Sequence, residues 1–226
     1  KELILWIPCL NLSLPYQFRN DFIKINQVEI NSEYAFITVT IQEANMIIPN
    51  KWIGVDLNTT GHCAVVSIPQ TGKTIKMGKN ANHIHKKYMN IRKNVQKHGK
   101  YNKLKDMGHR EQNIIKDLNH KMSKEIVSIA KENECGIKLE NLKGIKKRAR
   151  VQRSFRYSLN SWSFYQLQKM IEYKAKLHGI PVEYIALEYT SQECSRCGLI
   201  GNRNGKEFKC PTCGHVDNAD VNAAFN

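Results

Sequence analysis

The chain contains no apolar run approaching the roughly 18 residues a membrane span needs, and no apolar segment with a small-residue cleavage site opens it. Neither a membrane-spanning protein nor a secreted one is expected, and the chain reads as intracellular. A disulfide framework is missing too. The seven cysteines, at 9, 63, 135, 194, 197, 210 and 213, are odd in number with four crowded late, a pattern suited to a metal site in a reducing compartment. Cys9, Cys63 and Cys135 lie inside apolar runs and read as small buried hydrophobes.

Acid is absent from two stretches. Residues 79–105 hold nine Lys/Arg and residues 143–156 hold seven, neither with any Asp or Glu. The formal charge of the 226-residue chain is +15, from 35 bases and 20 acids; those segments carry +16, so the remainder carries 19 minus 20, or −1. The excess is therefore two patches on a near-neutral body, the footprint of a polyanion such as nucleic acid, whereas a merely solubilising surface intersperses both signs. In the first patch Lys86, Lys87, Arg92, Lys93, Lys97 and Lys100 recur at mixed helical spacing, a face suited to phosphate. In the second, Lys146, Lys147, Arg148, Arg150, Arg153 and Arg156 stand with Phe155 and Tyr157, which can stack on unpaired bases. Nucleic acid is the expected partner, in the cytoplasm or nucleoid. The histidines at 83, 85, 98, 109 and 120 have no metal-ligand spacing with the cysteines and read as surface or RNA contacts, and Trp52, Trp162 and Phe164 read as core.

What is present alternates in strand fashion from the start. "ELILWIPCL", "DFIKINQVEI" and "YAFITVTI" make residues 1–51 a β-rich segment. "WIGVDL", "HCAVVSI" and "TIKMG" follow at hairpin spacing. Residues 80–106 read as a polar basic helix, interrupted at Met107-Gly108. A second helix carries Ile115, Leu118, Met122, Ile126 and Ile129 on one stripe. "CGIKLENL" reads as a buried strand, residues 162–178 as a helix stopped by Gly179 and Pro181, and "PVEYIAL" as another strand. The order predicts an α/β fold, a mixed sheet with flanking helices.

Cys194 and Cys197, then Cys210 and Cys213, each pair followed by glycine, have the spacing of a structural zinc site: two thiolates on one tight turn can face a single tetrahedral ion. Four thiolates close the coordination shell, so the chemistry has to come from elsewhere. Asp56 ends an apolar run and Glu140 sits within "IKLENL", places where strands disfavour acids. For either acid alone, a satisfied structural carboxylate is the plainer reading. Asp220 adds a third, in the first turn of a helix that Asp217 or Asn218 can cap and that Val221, Ala224 and Phe225 lay on the sheet. Three such carboxylates together suit Mg²⁺ or Mn²⁺, and a pair of those ions roughly 3.5–4 Å apart can cleave a phosphodiester.

The set "GVDLNTTG", "GIKLENLKGI", "YTSQECSRCG" and "CPTCGHVDNADVNAAFN" resembles the OrfB/TnpB proteins of insertion sequences, relatives of compact type V CRISPR effectors and of the eukaryotic Fanzor proteins. The resemblance spans roughly residues 52–226. It implies an RNase H-like (RuvC) fold with an inserted zinc ribbon, and a metal-dependent, guide-RNA-directed DNA endonuclease of transposon context with Asp56, Glu140 and Asp220 catalytic. It further implies a wedge-like segment at 1–51, a RuvC core at 52–190 with a basic helical segment at 79–133, a ribbon at 191–216 and a last helix at 217–226. Longer family members split the wedge with a helical unit. A chain that opens without methionine and closes inside an apparent helix reads as a fragment or a shortened member. An alternative of another class stays open: a catalytically silent nucleic-acid-binding repressor or scaffold on the same fold.

Overall fold

Alternation of apolar side chains along WIGVDL and GIKLE sets one face of a sheet toward a core, because neighbouring residues on a strand point to opposite sides, while the unbroken AVVSI marks a strand buried on both faces. A computed structural model describes residues 3–16, 21–58, 61–141, 164–185 and 192–226. The chain divides into two units, Lys1–Ala44 and Asn45–Asn226.

The first unit holds two antiparallel hairpins. One pairs β1 (Leu3–Ile7) with β2 (Leu12–Tyr16), the other β3 (Lys24–Ile30) with β4 (Ala35–Thr40). β2 departs from the sequence reading: Pro15 lies in it opposite Ile4, a position an edge strand tolerates because it need not donate there. Cys9, expected to be buried, is exposed in the tight connection of the first hairpin.

The second unit is built on a five-stranded sheet in the order β7-β6-β5-β8-β9. These are β5 (Trp52–Leu57), β6 (Ala64–Ile68), β7 (Lys73–Met77), β8 (Gly136–Glu140) and β9 (Val182–Ile185). β5, β6 and β7 are antiparallel, while β8 runs parallel to both β5 and β9, so the pairing is mixed as expected. Between β7 and β8 come α1 (Lys79–Lys97), α2 (Tyr101–Met107) and α3 (Arg110–Glu132). The basic helix thus breaks earlier than read, at Gly99, whose φ of 64° is a left-handed conformation that glycine adopts without strain. α4 (Phe164–Leu177) precedes β9. Among the described residues no helix is long and apolar enough to cross a membrane.

One face of the sheet, with Ile53, Val55, Leu57, Val66, Ile137 and Leu139, packs on Ile115, Met122 and Ile126 of α3 and on Leu167, Ile171 and Ala175 of α4. His85, expected at the surface, is buried on α1, where its Nδ1 meets Glu111 Oε1 of α3 at 2.7 Å; Arg92 donates to the other oxygen of Glu111. A lone histidine in a polar helix gives no hint that the partner helix brings a carboxylate to it.

On the other face, Val65 of β6 forms a small cluster with Val221 and Ala224 of the last helix, α5 (Ala219–Phe225). The contact is close enough to require glycine at 54. A Cβ there would lie 1.9 Å from the Ala224 carbonyl oxygen, which also accepts from Ser67 Oγ. Gly54→Ala is therefore expected to push α5 off the sheet and destabilise the unit by about 1–3 kcal/mol, measured by denaturant unfolding.

Candidate functional site

The second face of the sheet carries a row of residues set by register. Val55 pairs with Leu139, so Asp56 and Glu140 follow as neighbours at the carboxyl ends of two parallel strands. Trp52, Gly54 and Asp56 of β5 share this face with Gly136, Lys138 and Glu140 of β8. Asp56 is buried and accepts a hydrogen bond from Asn58 Nδ2 at 2.7 Å. Glu140 is half-buried, and its backbone carbonyl accepts from Gln168 Nε2 of α4 at 2.7 Å, which fixes the strand end.

Asp220 arrives from the far end of the chain. Asn218 caps α5, accepting from the Asp220 amide at 3.1 Å, and so places Asp220 in the first turn, where the positive end of the helix favours a carboxylate. Asp217, the weaker candidate, is half-buried on the ribbon and accepts from the Asn218 amide at 2.7 Å.

The three acids feel one another. Burial is the main reason the Asp56 carboxyl is pushed up to about 7; the charge of Glu140 adds to it and that of Asp220 adds less, while the Asn58 hydrogen bond and the Arg203 charge oppose. Their oxygens are not drawn into one tight cluster: among the described residues the four cysteines alone form a group of three or more whose metal-ligating atoms all lie within 4.8 Å of one another. Asp220 also has two cationic partners. Lys206 Nζ meets one of its oxygens, and an Arg203 guanidinium nitrogen lies 3.5 Å from the other. Sequence reading missed both. Arg203 lies on the strand Asn202–Asn204 and Lys206 in the turn that follows it, and only the register of the ribbon strands, with Glu207 opposite Asn218, brings them to α5.

The ribbon is a three-stranded sheet of β10 (Asn202–Asn204), β11 (Glu207–Lys209) and β12 (Val216–Asn218). Its knuckles are tight turns in which the amides of Gly198 and Gly214 return to the carbonyls of Cys194 and Cys210. Four sulfurs about 2.3 Å from a zinc ion would stand about 3.8 Å apart. The Cys194–Cys213 and Cys197–Cys210 sulfurs are 3.6 Å apart, so the set could hold a tetrahedral metal ion such as zinc. Backbone amides, that of Cys213 first and then Thr212, draw the Cys210 thiol down to about 6, toward the thiolate a metal needs.

Of the first basic patch, Lys86, Lys87, Lys93 and Lys97 are exposed on α1 and Lys100 is exposed just beyond it. Arg92 has a structural partner in Glu111. The second patch, Lys146, Lys147, Arg148, Arg150, Arg153 and Arg156, lies outside the described residues, as does Trp162.

The mixed sheet with its helices is an α/β fold similar to that of Cas12f. A solved Cas12f1–sgRNA–target DNA complex superposes with a TM-score of 0.66 at 24% identity, over 88% of this chain and 54% of that one. Residues 164–226 match the family model described as Cas12f1-like, TNB domain. The chain is 44% identical over 118 residues to the CRISPR-associated endodeoxyribonuclease Cas12f1 of Sulfoacidibacillus thermotolerans, covering 50% of this chain and 26% of that protein. It is 37% identical over 151 residues to the TnpB-like protein MJ0751 of Methanocaldococcus jannaschii, covering 63% of this chain and 54% of that protein. The chain thus matches about a quarter and about half the length of these two curated relatives. It is a relative of the TnpB/OrfB family, which is allied to the compact type V effectors.

Proposed function

We propose that this chain carries the cleavage centre of a transposon-associated, RNA-guided DNA endonuclease of RuvC type, on an RNase H-like sheet. The observation that carries the reading is the meeting of Asp56 and Glu140 at neighbouring ends of parallel strands, with the charge of Asp220 reaching Asp56. An acid held half-protonated near pH 7 by burial and by two other carboxylates is suited to a divalent cation, which would relieve both costs. Bound there, Mg²⁺ or Mn²⁺ would activate water and stabilise the leaving oxygen of a phosphodiester. The residues' own share is to hold the oxygens on two strand ends and on the first turn of a helix, with Asn58 orienting the Asp56 carboxylate and Asn218 capping the helix that carries Asp220.

Cys194, Cys197, Cys210 and Cys213 would hold structural Zn²⁺. The ribbon at 191–216 would then set the last helix, 217–226, against the core at 52–190, with 1–51 as a wedge-like segment. Lys86, Lys87, Lys93, Lys97 and Lys100 are suited to the phosphates of DNA or of a guide RNA, with the second basic patch assigned the same role. With DNA as partner, the protein would work in the cytoplasm or nucleoid.

A second reading has one observation in its favour. Lys206 and Arg203 already neutralise Asp220, as they would in a nucleic-acid-binding protein that no longer cuts. Labelled single-stranded DNA incubated with the protein and Mg²⁺ separates the two. Cleavage that needs the metal and disappears in Glu140→Gln is the expected result; DNA that binds but stays intact with every divalent ion tried gives the site to the binding protein.

A further inference from the structure

Trp52 is not part of the core, although its place beside an apolar strand suggests it. It stands at the start of β5 on the face that bears Asp56, half-buried, with its ring laid over Gly136; a Cβ on that glycine would come within 2.4 Å of the indole. Lys138 Nζ lies 5.7 Å from the ring centroid. Two residues further along the same strand face is Glu140, about 7 Å away at the rise of an extended chain. Among the described residues these three line a cleft whose far wall is Ala223 and Phe225 of α5. An ammonium over a half-exposed indole is a weak contact, on the order of 1 kcal/mol, and a better anion can draw the ammonium away.

Resting on the proposed nuclease reading, we infer that Trp52 and Lys138 form a nucleotide subsite, which holds the unit of the single strand next to the phosphate being cut. The chemistry of each member fits one part of a nucleotide. The indole offers a flat π-face of the kind on which any base stacks, which suits a site that does not choose sequence. The ammonium offers one phosphate contact. Lys138, about 7 Å from Glu140, is at the distance of a neighbouring phosphate and not of the scissile one, and Trp52, opposite Gly136, lies a further two residues along the strand. As DNA enters, Lys138 leaves the ring for the phosphate and the base takes its place on Trp52. Gly136 is required beneath, since any side chain there would fill the space of the ring. The two residues position the strand and touch no reacting atom.

The test uses Trp52 as its own reporter. In Trp6→Phe/Trp162→Phe the remaining indole is Trp52, and single-stranded DNA is titrated in Ca²⁺ to hold off cleavage, with binding followed in parallel by polarisation of labelled DNA. Saturable quenching of Trp52 that tracks the polarisation curve is expected. Should the double variant not fold, the intact protein supplies the second measurement. There, Trp52→Leu should weaken binding roughly tenfold, with Trp52→Phe close to wild type. Lys138→Ala should lower the slope of log affinity against log salt by about 0.7, the loss of one phosphate contact on a single strand, with Lys138→Arg restoring it. DNA that binds and is cut while Trp52 emission, affinity and salt slope stay unmoved overturns the subsite and leaves the nuclease reading standing. A wild-type protein that binds no single strand even at low salt overturns both.

Discussion

Asp56→Asn is expected to abolish Mg²⁺-dependent cleavage and, in the metal-free protein at alkaline pH, to raise the melting temperature. Both effects follow from where the carboxyl sits. Asp56 is 7% exposed, and its pKa of about 7 lies well above the 3.8 of a free side chain, chiefly because burial penalises its charge and Glu140 repels it. Between those two values the folded protein keeps a proton that the unfolded chain releases. Stability from this group is therefore complete below pH 3.8, falls as pH rises, and is fully lost once pH has passed through 7. At about 1.4 kcal/mol per pKa unit, ionising Asp56 inside the fold costs on the order of 4 kcal/mol.

Asparagine keeps the acceptor for Asn58 and cannot ionise, so this cost disappears. An upward shift in Tm of roughly 5–10 °C at pH 8.5, shrinking toward zero at acid pH, is the expected calorimetric result. A divalent ion reverses the order. On the proposed reading it would bind the ionised wild-type carboxylates and stabilise them by mass action, while the variant would lose a ligand and on the order of a hundredfold or more in rate. Cleavage and metal-induced stabilisation should fall together on the acid side of pH 7, as protons compete for Asp56. A Tm for the metal-free variant that never exceeds that of wild type at pH 8.5 would show that the carboxylate is not the strained group described here.

This tension also explains how much of the site was legible in the sequence. Asp56 and Glu140 announced themselves because an acid within an apolar strand contradicts the pattern around it, and the cysteines did so through spacing alone. The mixed sheet followed from the order of elements, and the α3 stripe named the helix face that the core uses. What stayed hidden depends on register between distant segments. Arg203 and Lys206 carry no sequence signal that ties them to Asp220, and only the pairing of β10, β11 and β12 carries them to it. His85 and Arg92 read as members of a polar basic helix because nothing local says that Glu111 will be buried between them. Trp52 read as core because one strand has two faces, and only the neighbouring Lys138 and the uncovered edge of α5 decide which kind of surface it joins. Pairwise chemistry across the fold is what periodicity does not encode.

Removing zinc is expected to silence cleavage while the main sheet stays folded, and the reason lies in how few residues hold the ribbon. Its buried core is Cys194, Phe208, Cys210 and Ala219, two of them from the four-cysteine set. A cluster this small cannot outweigh the chain entropy of three short strands, so on the proposed reading the folding free energy would come from the metal, about 10–16 kcal/mol for structural zinc in small modules. The ribbon in turn holds the last acid. Asn222 of α5, fully buried, accepts from the Ser195 amide at 2.9 Å and donates to the Glu193 carbonyl at 2.6 Å. The Ala219 amide donates to the Lys206 carbonyl at 2.8 Å, one residue before Asp220. Once the knuckles open, these bonds go and Asp220 loses its place. The core around Ile53, Ile126, Ile137 and Ile171 has no ribbon residue in it and should persist. A zinc-selective chelator, or Cys197→Ser, should therefore leave far-UV circular dichroism largely intact and lower cleavage on the order of a hundredfold at saturating Mg²⁺, with added Zn²⁺ restoring the chelated sample and added Mg²⁺ not. Full activity in protein shown by elemental analysis to be zinc-free would mean that the ribbon folds without its metal, or that Asp220 is held by the sheet alone.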